Sequence, residues 1–166
     1  MYQCGELVLY GIHGVCQILE LEIKIMNRKK TEYYVLSPIL NEQARFYVPT
    51  QNEAAVAKLH PILTREDWMK LLSVSNLNKN AWIADESRRR VYYKEIINSG
   101  NRAGLLGMIS SLHNNRSEQI AQGRKFHLSD ENFLRDAEKV ICSEISLVLD
   151  MSMEDAYKYI REILSK

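Results

Sequence analysis

The chain has 166 residues, of which 46% are hydrophobic and 26% charged, and its formal net charge is +1. These values are ordinary for a globular protein and argue against intrinsic disorder, while the length suits one domain or two small ones. The charge is unevenly distributed: residues 1–64 carry six basic and six acidic side chains, residues 79–125 nine and four, and residues 126–166 five and nine. The basic block in the middle favours a polyanion-binding face, although a solvated helix surface produces the same pattern.

The first third of the chain has the composition of short β-strands. Residues 6–10 and 15–25 are apolar and β-prone, with a glycine turn between them, and residues 27–30 form a polar hairpin tip. Residues 32–36 and 44–48 are two further strands. Four or five short strands without an intervening helix predict a small, strongly bent antiparallel sheet or barrel.

From Thr64 onward the hydrophobic period becomes helical. Thr64 is predicted to cap a helix that ends near Ser73, because Asp67 stands at capping-box spacing. A polar linker is predicted over residues 76–80. Four more helices are predicted: from residue 82 or 85 to 98, over 101–122, from a cap at Ser129, and over 153–164 after a cap at Ser152. The predicted fold is α+β, with a β-barrel domain over residues 1–62 and a compact helical domain over residues 63–166.

Three widely spaced cysteines, Cys4, Cys16 and Cys142, show no CxxC spacing. This argues against a zinc or redox site and favours reduced, mostly buried thiols. The N-terminus lacks the pattern of a signal peptide, and no apolar run approaches the roughly 20 residues of a membrane span. We therefore predict a cytoplasmic protein without a cofactor, a metal or a membrane partner.

No recognisable catalytic motif is present. The histidines show no HExxH spacing and no nucleophile of the GxSxG type, and there is no phosphate-binding glycine loop. Asp85 with Glu86 and Asp130 with Glu131 are carboxylate pairs at predicted helix starts, where acidic residues usually act as caps. We predict a protein that is not an enzyme; an enzyme with an unrecognised site stays the less favoured alternative.

A basic run close to a tryptophan is the main binding signal. Arg88, Arg89 and Arg90 are consecutive, Lys94 follows one turn later, and Trp82 stands shortly before them. Three consecutive arginines spread over most of a helix circumference, so one or two can meet phosphates whichever way the helix faces. The tryptophan could stack on or wedge against a base step. The alternative is a salt-bridged surface helix with Trp82 in the core.

A second cationic pair, Arg124 and Lys125, stands just before the predicted cap at Ser129. Free N–H groups at a helix N-terminus attract anions, so this pair could clamp a phosphate. An ordinary solvated loop explains the pair as well.

These segments resemble the CarD family of bacterial transcription regulators (the CarD/CdnL group). Residues 5–15, GELVLYGIHGV, are similar to the family's opening G-D-x-V-V-Y-P-x-H-G-V, with Gly11 where proline is usual. Residues 32–36 and 47–49 resemble its E-Y-x-V-L and V-P strands. Further segments match in order and spacing: Trp82, residues 87–90, residues 99–101, residues 123–129 and residues 137–144.

The resemblance implies a Tudor-like barrel that binds the β subunit of RNA polymerase and a helical domain that contacts promoter DNA at the upstream edge of the opening bubble. It implies a tryptophan wedge at the minor groove, carried over here to Trp82, and polymerase contacts at Lys24, Met26 and Tyr47. The expected protein is a monomer with little DNA sequence preference that modulates open-complex stability and is held at the nucleoid by polymerase. A stand-alone DNA-binding module without polymerase contact is the rival.

Overall fold

The computed structural model describes residues 1–26, 28–73 and 82–165. Its first part is a five-stranded antiparallel sheet and its second part is helical, so the predicted α+β class is confirmed. The predicted linker over residues 76–80 lies outside the described residues. The strands are β1 (Leu7–Tyr10), β2 (Val15–Met26), β3 (Lys29–Pro38), β4 (Phe46–Pro49) and β5 (Leu59–Pro61), in the spatial order β4-β3-β2-β1-β5.

The helices begin with a short 3-10 helix between β1 and β2. A single α-helical turn also lies between β4 and β5, where the sequence predicted no helix. It is too short to show a hydrophobic period, and it is capped by Asn52, whose Oδ1 accepts from the Ala55 N–H at 3.1 Å. The helices are the 3-10 helix (Gly11–His13), α1 (Glu53–Val56), α2 (Arg65–Ser73), α3 (Glu86–Asn98), α4 (Arg102–Ala121), α5 (Leu128–Leu149) and α6 (Met153–Leu164).

Most helices start at side chains that satisfy free N–H groups. The Thr64 hydroxyl accepts from the Asp67 N–H at 3.1 Å, as the capping-box spacing predicts. Asp85 caps α3, and Ser152 caps α6 by accepting from Asp155 N–H at 3.0 Å. These caps explain where the helices begin.

The predicted cap at Ser129 is wrong. Helix α5 begins at Leu128, with His127 at the N-cap position and no capping hydrogen bond from its side chain. Ser129 is already inside the first turn, so its hydroxyl cannot accept from the N–H groups that follow. It lies instead 3.4 Å from Glu86 Oε1 at the start of α3.

The sheet and the helices each have a hydrophobic core, and β1 contributes to both. Val8 packs in the barrel core with Ile18 and Leu36, whereas Leu9 packs in the helical core against residues of α4 and α5. Successive side chains of a strand point to opposite faces, so one short strand can join the two cores. Val15 at the start of β2 also belongs to the helical core. The sheet is therefore packed directly on the helices.

A buried ion pair reinforces this contact. Glu144 of α5 has 0% relative exposure, and its carboxylate accepts from Arg102 Nε and Nη2, both at 2.9 Å. The same carboxylate accepts from the Leu63 N–H at 2.7 Å, and Arg102 donates to the Pro61 carbonyl at 2.7 Å. The pair thus binds the backbone on both sides of residue 62, where the sequence predicts the domain boundary. That boundary stays a prediction.

A close approach at Gly14 completes the contact. Gly14 has a φ of +73°, and a Cβ on it would lie 2.6 Å from Ser143 Oγ on α5. The next residue, Val15, donates its N–H to that hydroxyl at 3.2 Å. Glycine is required here because both the backbone conformation and the space exclude a side chain.

Candidate functional sites

Two of the three predicted polymerase contacts lie together on one face of the sheet. Strands β2 and β4 flank β3, and their register places Lys24 and Tyr47 on the same side. Lys24 Nζ lies 3.3 Å from the centroid of the Tyr47 ring and 3.8 Å from Glu22 Oε1. Tyr33 on β3 meets the Tyr47 ring edge-on, with centroids 6.3 Å apart. We call these four side chains the outer-face cluster. It combines a cation, two aromatic rings and one carboxylate.

Met26, the third predicted contact, ends β2 and pairs with Lys29. Its side chain lies outside what the structure describes, so its direction is not assigned. The hairpin tip that follows includes Asn27, which also falls outside the described residues.

The hairpin of β2 and β3 extends beyond the rest of the sheet. Strand β1 pairs with β2 only over residues 15–17, so among the described strands residues 20–26 pair with β3 alone. This leaves one edge of β2 with backbone groups free to pair with another strand. On the face opposite the outer-face cluster, Leu21, Ile23 and Ile25 are 44%, 62% and 65% exposed. The hairpin therefore offers an unpaired edge flanked by apolar side chains, which suits addition of a partner's strand.

The predicted DNA-binding run on α3 is divided between the surface and the interior. Arg88 and Arg90 are exposed, as is Lys94. Arg90 is 3.9 Å from Glu86, a distance at which an exposed pair contributes little. A groove of about 400 Å³ runs between α3 and α5, lined by Arg90, Lys94, Ser129, Asn132, Phe133 and Asp136. Two of the predicted cations thus share one groove.

Arg89 does not belong to this surface. It is 3% exposed and its guanidinium forms a two-point ion pair with Asp130 of α5, with Nε and Nη2 at 2.9 and 2.7 Å from the carboxylate oxygens. Burial by itself lowers the pKa of Arg89, but the hydrogen bonds and charge of Asp130 outweigh burial and raise it. The guanidinium is therefore charged and already paired. The burial of Arg89 and its pairing with Asp130 therefore argue against the predicted phosphate contact by this residue.

Trp82 is neither fully exposed, as a free DNA wedge would be, nor fully buried, as a core residue would be. It is partly buried and packs against the helical core. One face of its indole ring is covered by the Arg89 guanidinium, 4.4 Å from the ring. Beside it lies a hollow of about 180 Å³, whose other lining residues come from α4: Ser111, Asn114, Asn115 and Glu118.

Arg124 and Lys125 are exposed in the loop between α4 and α5. The helix that follows starts at Leu128, whose side chain is 75% exposed. Because His127 supplies no side-chain cap, N–H groups at this helix start have one fewer internal acceptor. The local charge is mixed, since Asp130 and Glu131 also lie in the first turn.

Four other titratable groups are partly or fully buried and have shifted pKa values. Burial raises the pKa of the Cys16 and Cys142 thiols to about 12, so neither is a nucleophile at neutral pH. Burial, aided by Lys139, lowers the pKa of His13, which packs on the Phe46 ring with centroids 3.9 Å apart. Burial raises the pKa of Glu138, but hydrogen bonds and charge from His113 and Arg161 outweigh it and lower the pKa.

Within the described ranges, no group of three or more His, Cys, Asp or Glu side chains is placed to hold a metal ion. The helices described include none with both the length and the apolar character needed to cross a membrane.

Sequence reasoning missed two residues that organise these surfaces. Asp130 was interpreted as a capping carboxylate, and its pairing with Arg89 spans 41 positions that carry no local signal. Glu144 lies within residues 137–144, which carry only the family resemblance, and no local pattern indicates its partner Arg102. A buried acid on an apolar helix face predicts a basic partner somewhere, but its position cannot be read from spacing.

A Tudor-like β domain followed by a helical domain is the class of protein that this fold defines. Residues 2–61, which are 60 of the 166 positions, match the family described as CarD-like/TRCF RID domain. The match covers the sheet, and for this part of the chain it supports the predicted resemblance to a CarD-like, RNA polymerase-interacting family. No curated protein matches the chain.

Proposed function

We propose that the protein is a transcription regulator that binds the RNA polymerase β subunit through its sheet and promoter DNA through its helices, and so modulates open-complex stability. The CarD-like domain at residues 2–61 is the observation that carries this proposal, because it ties the sheet to polymerase. No chemistry is required of the protein: binding that favours distorted over intact DNA shifts the melting equilibrium by itself.

The outer-face cluster supports the polymerase contact. Tyrosine is enriched at binding hot spots, and Tyr47 stays 42% exposed although Lys24 lies over its ring. The free edge of β2 adds main-chain hydrogen bonds that a partner strand can use regardless of its sequence. The outer-face cluster and the free edge of β2 together support a polymerase contact made by side chains at the cluster and by main-chain hydrogen bonds along the strand.

The contact with DNA is proposed to use five exposed cations and Trp82. Arg88, Arg90 and Lys94 project from α3, while Arg124 and Lys125 lie in the loop before α5. Such side chains are proposed to bind phosphates, and phosphate contacts carry no direct sequence information. Trp82 is proposed as the minor-groove wedge. We further propose that the protein acts as a monomer, bound to the nucleoid through polymerase.

The direct test of the proposal is co-purification of the full chain with RNA polymerase and with the isolated β subunit. Lifetimes of promoter open complexes are then measured with and without the protein. A chain that binds promoter DNA but neither polymerase nor its β subunit is the rival stand-alone DNA-binding module.

Lys24→Glu is expected to weaken binding to the β subunit roughly tenfold, about 1.4 kcal/mol. The change removes the cation from the Tyr47 ring and places a second carboxylate beside Glu22. Titration of the labelled full-length variant against the β subunit measures the effect. Lys58→Glu, an equal charge change at an exposed residue between α1 and β5, is the matched control and should bind normally. Equal losses in both variants would mean that only net charge matters.

Binding of duplex DNA is expected to be weak and salt-dependent, with a log–log slope of roughly −3 to −5 for three to five neutralised phosphates. Arg90→Ala should reduce the magnitude of that slope by about 1. Arg65→Ala, which removes an exposed arginine from α2, is the control and should leave the slope unchanged. Fluorescence anisotropy over a salt series gives the slopes. A slope near zero, or a strong preference for one duplex sequence, would contradict the proposed contact.

A further inference from the structure

One buried guanidinium binds both the backbone that follows Trp82 and the start of α5. Arg89 Nη1 donates to the Ile83 carbonyl at 2.8 Å and to the Ala84 carbonyl at 3.3 Å. Its Nε and Nη2 bind the Asp130 carboxylate at the start of α5, at 2.9 and 2.7 Å. The residues just after Trp82 are therefore attached to α5 through a single side chain.

The same guanidinium lies 4.4 Å from the Trp82 ring, within the range of a cation–π contact. Trp82 stands four residues before the first residue of α3, so no helical hydrogen bonds hold it. The segment from Trp82 to Asp85 is instead held by Arg89 from one side and by the helical core from the other. Arg89, which is only 3% exposed, therefore contacts both the ring and the backbone that follows it.

We propose that Arg89 is a positioning residue for Trp82. Paired with Asp130, the Arg89 guanidinium fixes the backbone of residues 83–84 and packs on one face of the indole. The ring is thereby oriented for contact with distorted DNA. This inference rests on the proposed wedge role of Trp82. In this proposal Arg89 contributes to DNA binding through Trp82 and does not itself contact a phosphate.

The geometry explains why arginine rather than lysine stands at this position. A guanidinium is planar and carries five N–H donors, so it can bind a carboxylate at two points, donate to two carbonyls and stack on a ring at the same time. A lysine ammonium has three donors and no plane to stack. Its exposed neighbour Arg90 shows no such combination among the described residues and lies 3.9 Å from one oxygen of Glu86.

The first test observes Trp82 directly. The chain has two tryptophans, so labelling with 5-fluorotryptophan gives two fluorine resonances, and Trp82→Phe identifies one of them. In Arg89→Lys the Trp82 resonance is expected to sharpen and move toward that of the free amino acid. The Trp68 resonance should stay in place, because Trp68 is fully buried and reports on the core. Arg88→Lys is the matched control and should change neither resonance. An unmoved Trp82 resonance in Arg89→Lys would overturn the inference.

The second test asks whether the orientation matters for promoter opening. Arg89→Lys should lower the open-complex lifetime to within about twofold of the value with Trp82→Ala, and combining the two changes should add nothing, since they act through one contact. Full-length protein and polymerase holoenzyme are used throughout. One outcome refutes the inference. In it, Arg89→Lys moves the Trp82 resonance but leaves the open-complex lifetime at the wild-type value, whereas Trp82→Ala shortens that lifetime.

A variant that replaces the ion pair by apolar side chains covers the case in which Arg89→Lys fails to fold. Arg89→Met combined with Asp130→Leu leaves no unpaired buried charge, and such replacements often preserve stability. The same movement of the Trp82 resonance and the same loss of lifetime are expected; an unchanged resonance in this folded variant overturns the inference. If Trp82→Ala has no effect on open complexes, the proposed wedge is wrong, and the fluorine resonance alone then decides whether Arg89 orients the ring.

Discussion

Replacing Glu144 with alanine is expected to lower the free energy of unfolding by about 3–5 kcal/mol, because the change leaves a buried charge without its partner. Arg102, which is 7% exposed, would lose both hydrogen bonds to the carboxylate. The Leu63 N–H would also lose its acceptor. Since that acceptor connects the end of the barrel to α5, the contact between the two parts should weaken together with overall stability. Urea denaturation followed by circular dichroism measures the loss.

Two comparisons separate this effect from a general effect of charge. Glu154→Ala removes the exposed partner of Lys158, whose pair at 2.7 Å has side chains 68% and 78% exposed, and should cost at most about 1 kcal/mol. Arg102→Met with Glu144→Leu removes both charges and should recover much of the lost stability. A Glu144→Ala variant as stable as Glu154→Ala would show that the buried pair does not hold the two parts together.

Trp82→Ala is expected to abolish most of the effect on open-complex lifetime while costing about 1–2 kcal/mol of stability, because the ring is only partly buried and its main polar contact is a cation–π pair. Trp68→Ala is the contrasting variant: Trp68 is 0% exposed, and its removal should cost about 3–5 kcal/mol. Thermal melting and open-complex lifetimes are measured on both full-length variants, together with binding to the β subunit. Trp82→Ala should bind the β subunit normally.

A large loss of stability without a loss of open-complex lifetime would identify Trp82 as a core residue. If Trp82→Ala destabilises the protein as strongly as Trp68→Ala and the remaining folded protein still extends open-complex lifetimes, then Trp82 is a core residue. The apolar contact with DNA would then be sought at Leu128, whose side chain is 75% exposed beside the cationic loop.

The strands and most helix ends could be predicted because their signals are local. Alternating apolar residues and turn residues identify strands, and the caps at Thr64, Asp85 and Ser152 each accept from the N–H three residues on. Helix α1 was missed because one turn is too short to show a period. The cap at Ser129 was predicted wrongly because the helix starts one residue earlier, where His127 has no capping side chain.

The surfaces depend on packing and were predictable only in part. The resemblance pointed to Lys24 and Tyr47, and the register of β2, β3 and β4 brings them to 3.3 Å; whether they contact polymerase stays a prediction. The cations of α3 were identified as a group. Their division into exposed Arg88 and Arg90 and buried Arg89 was not, because three consecutive helical residues point in directions about 100° apart and the sequence does not say which one faces inward.

The sequence by itself determined the fold class, most helix starts, the basic character of the middle of the chain and the CarD-like domain, since all of these are written in local patterns or in motifs kept in order. Only the tertiary structure decided which arginine is buried, what covers the Trp82 ring and how the barrel is held to α5. Each of these was settled by a partner far away in the chain: Asp130 pairs with Arg89 across 41 positions, and Glu144 binds Leu63 across 81. Because such contacts form only when separate elements pack, no spacing along the chain reveals them.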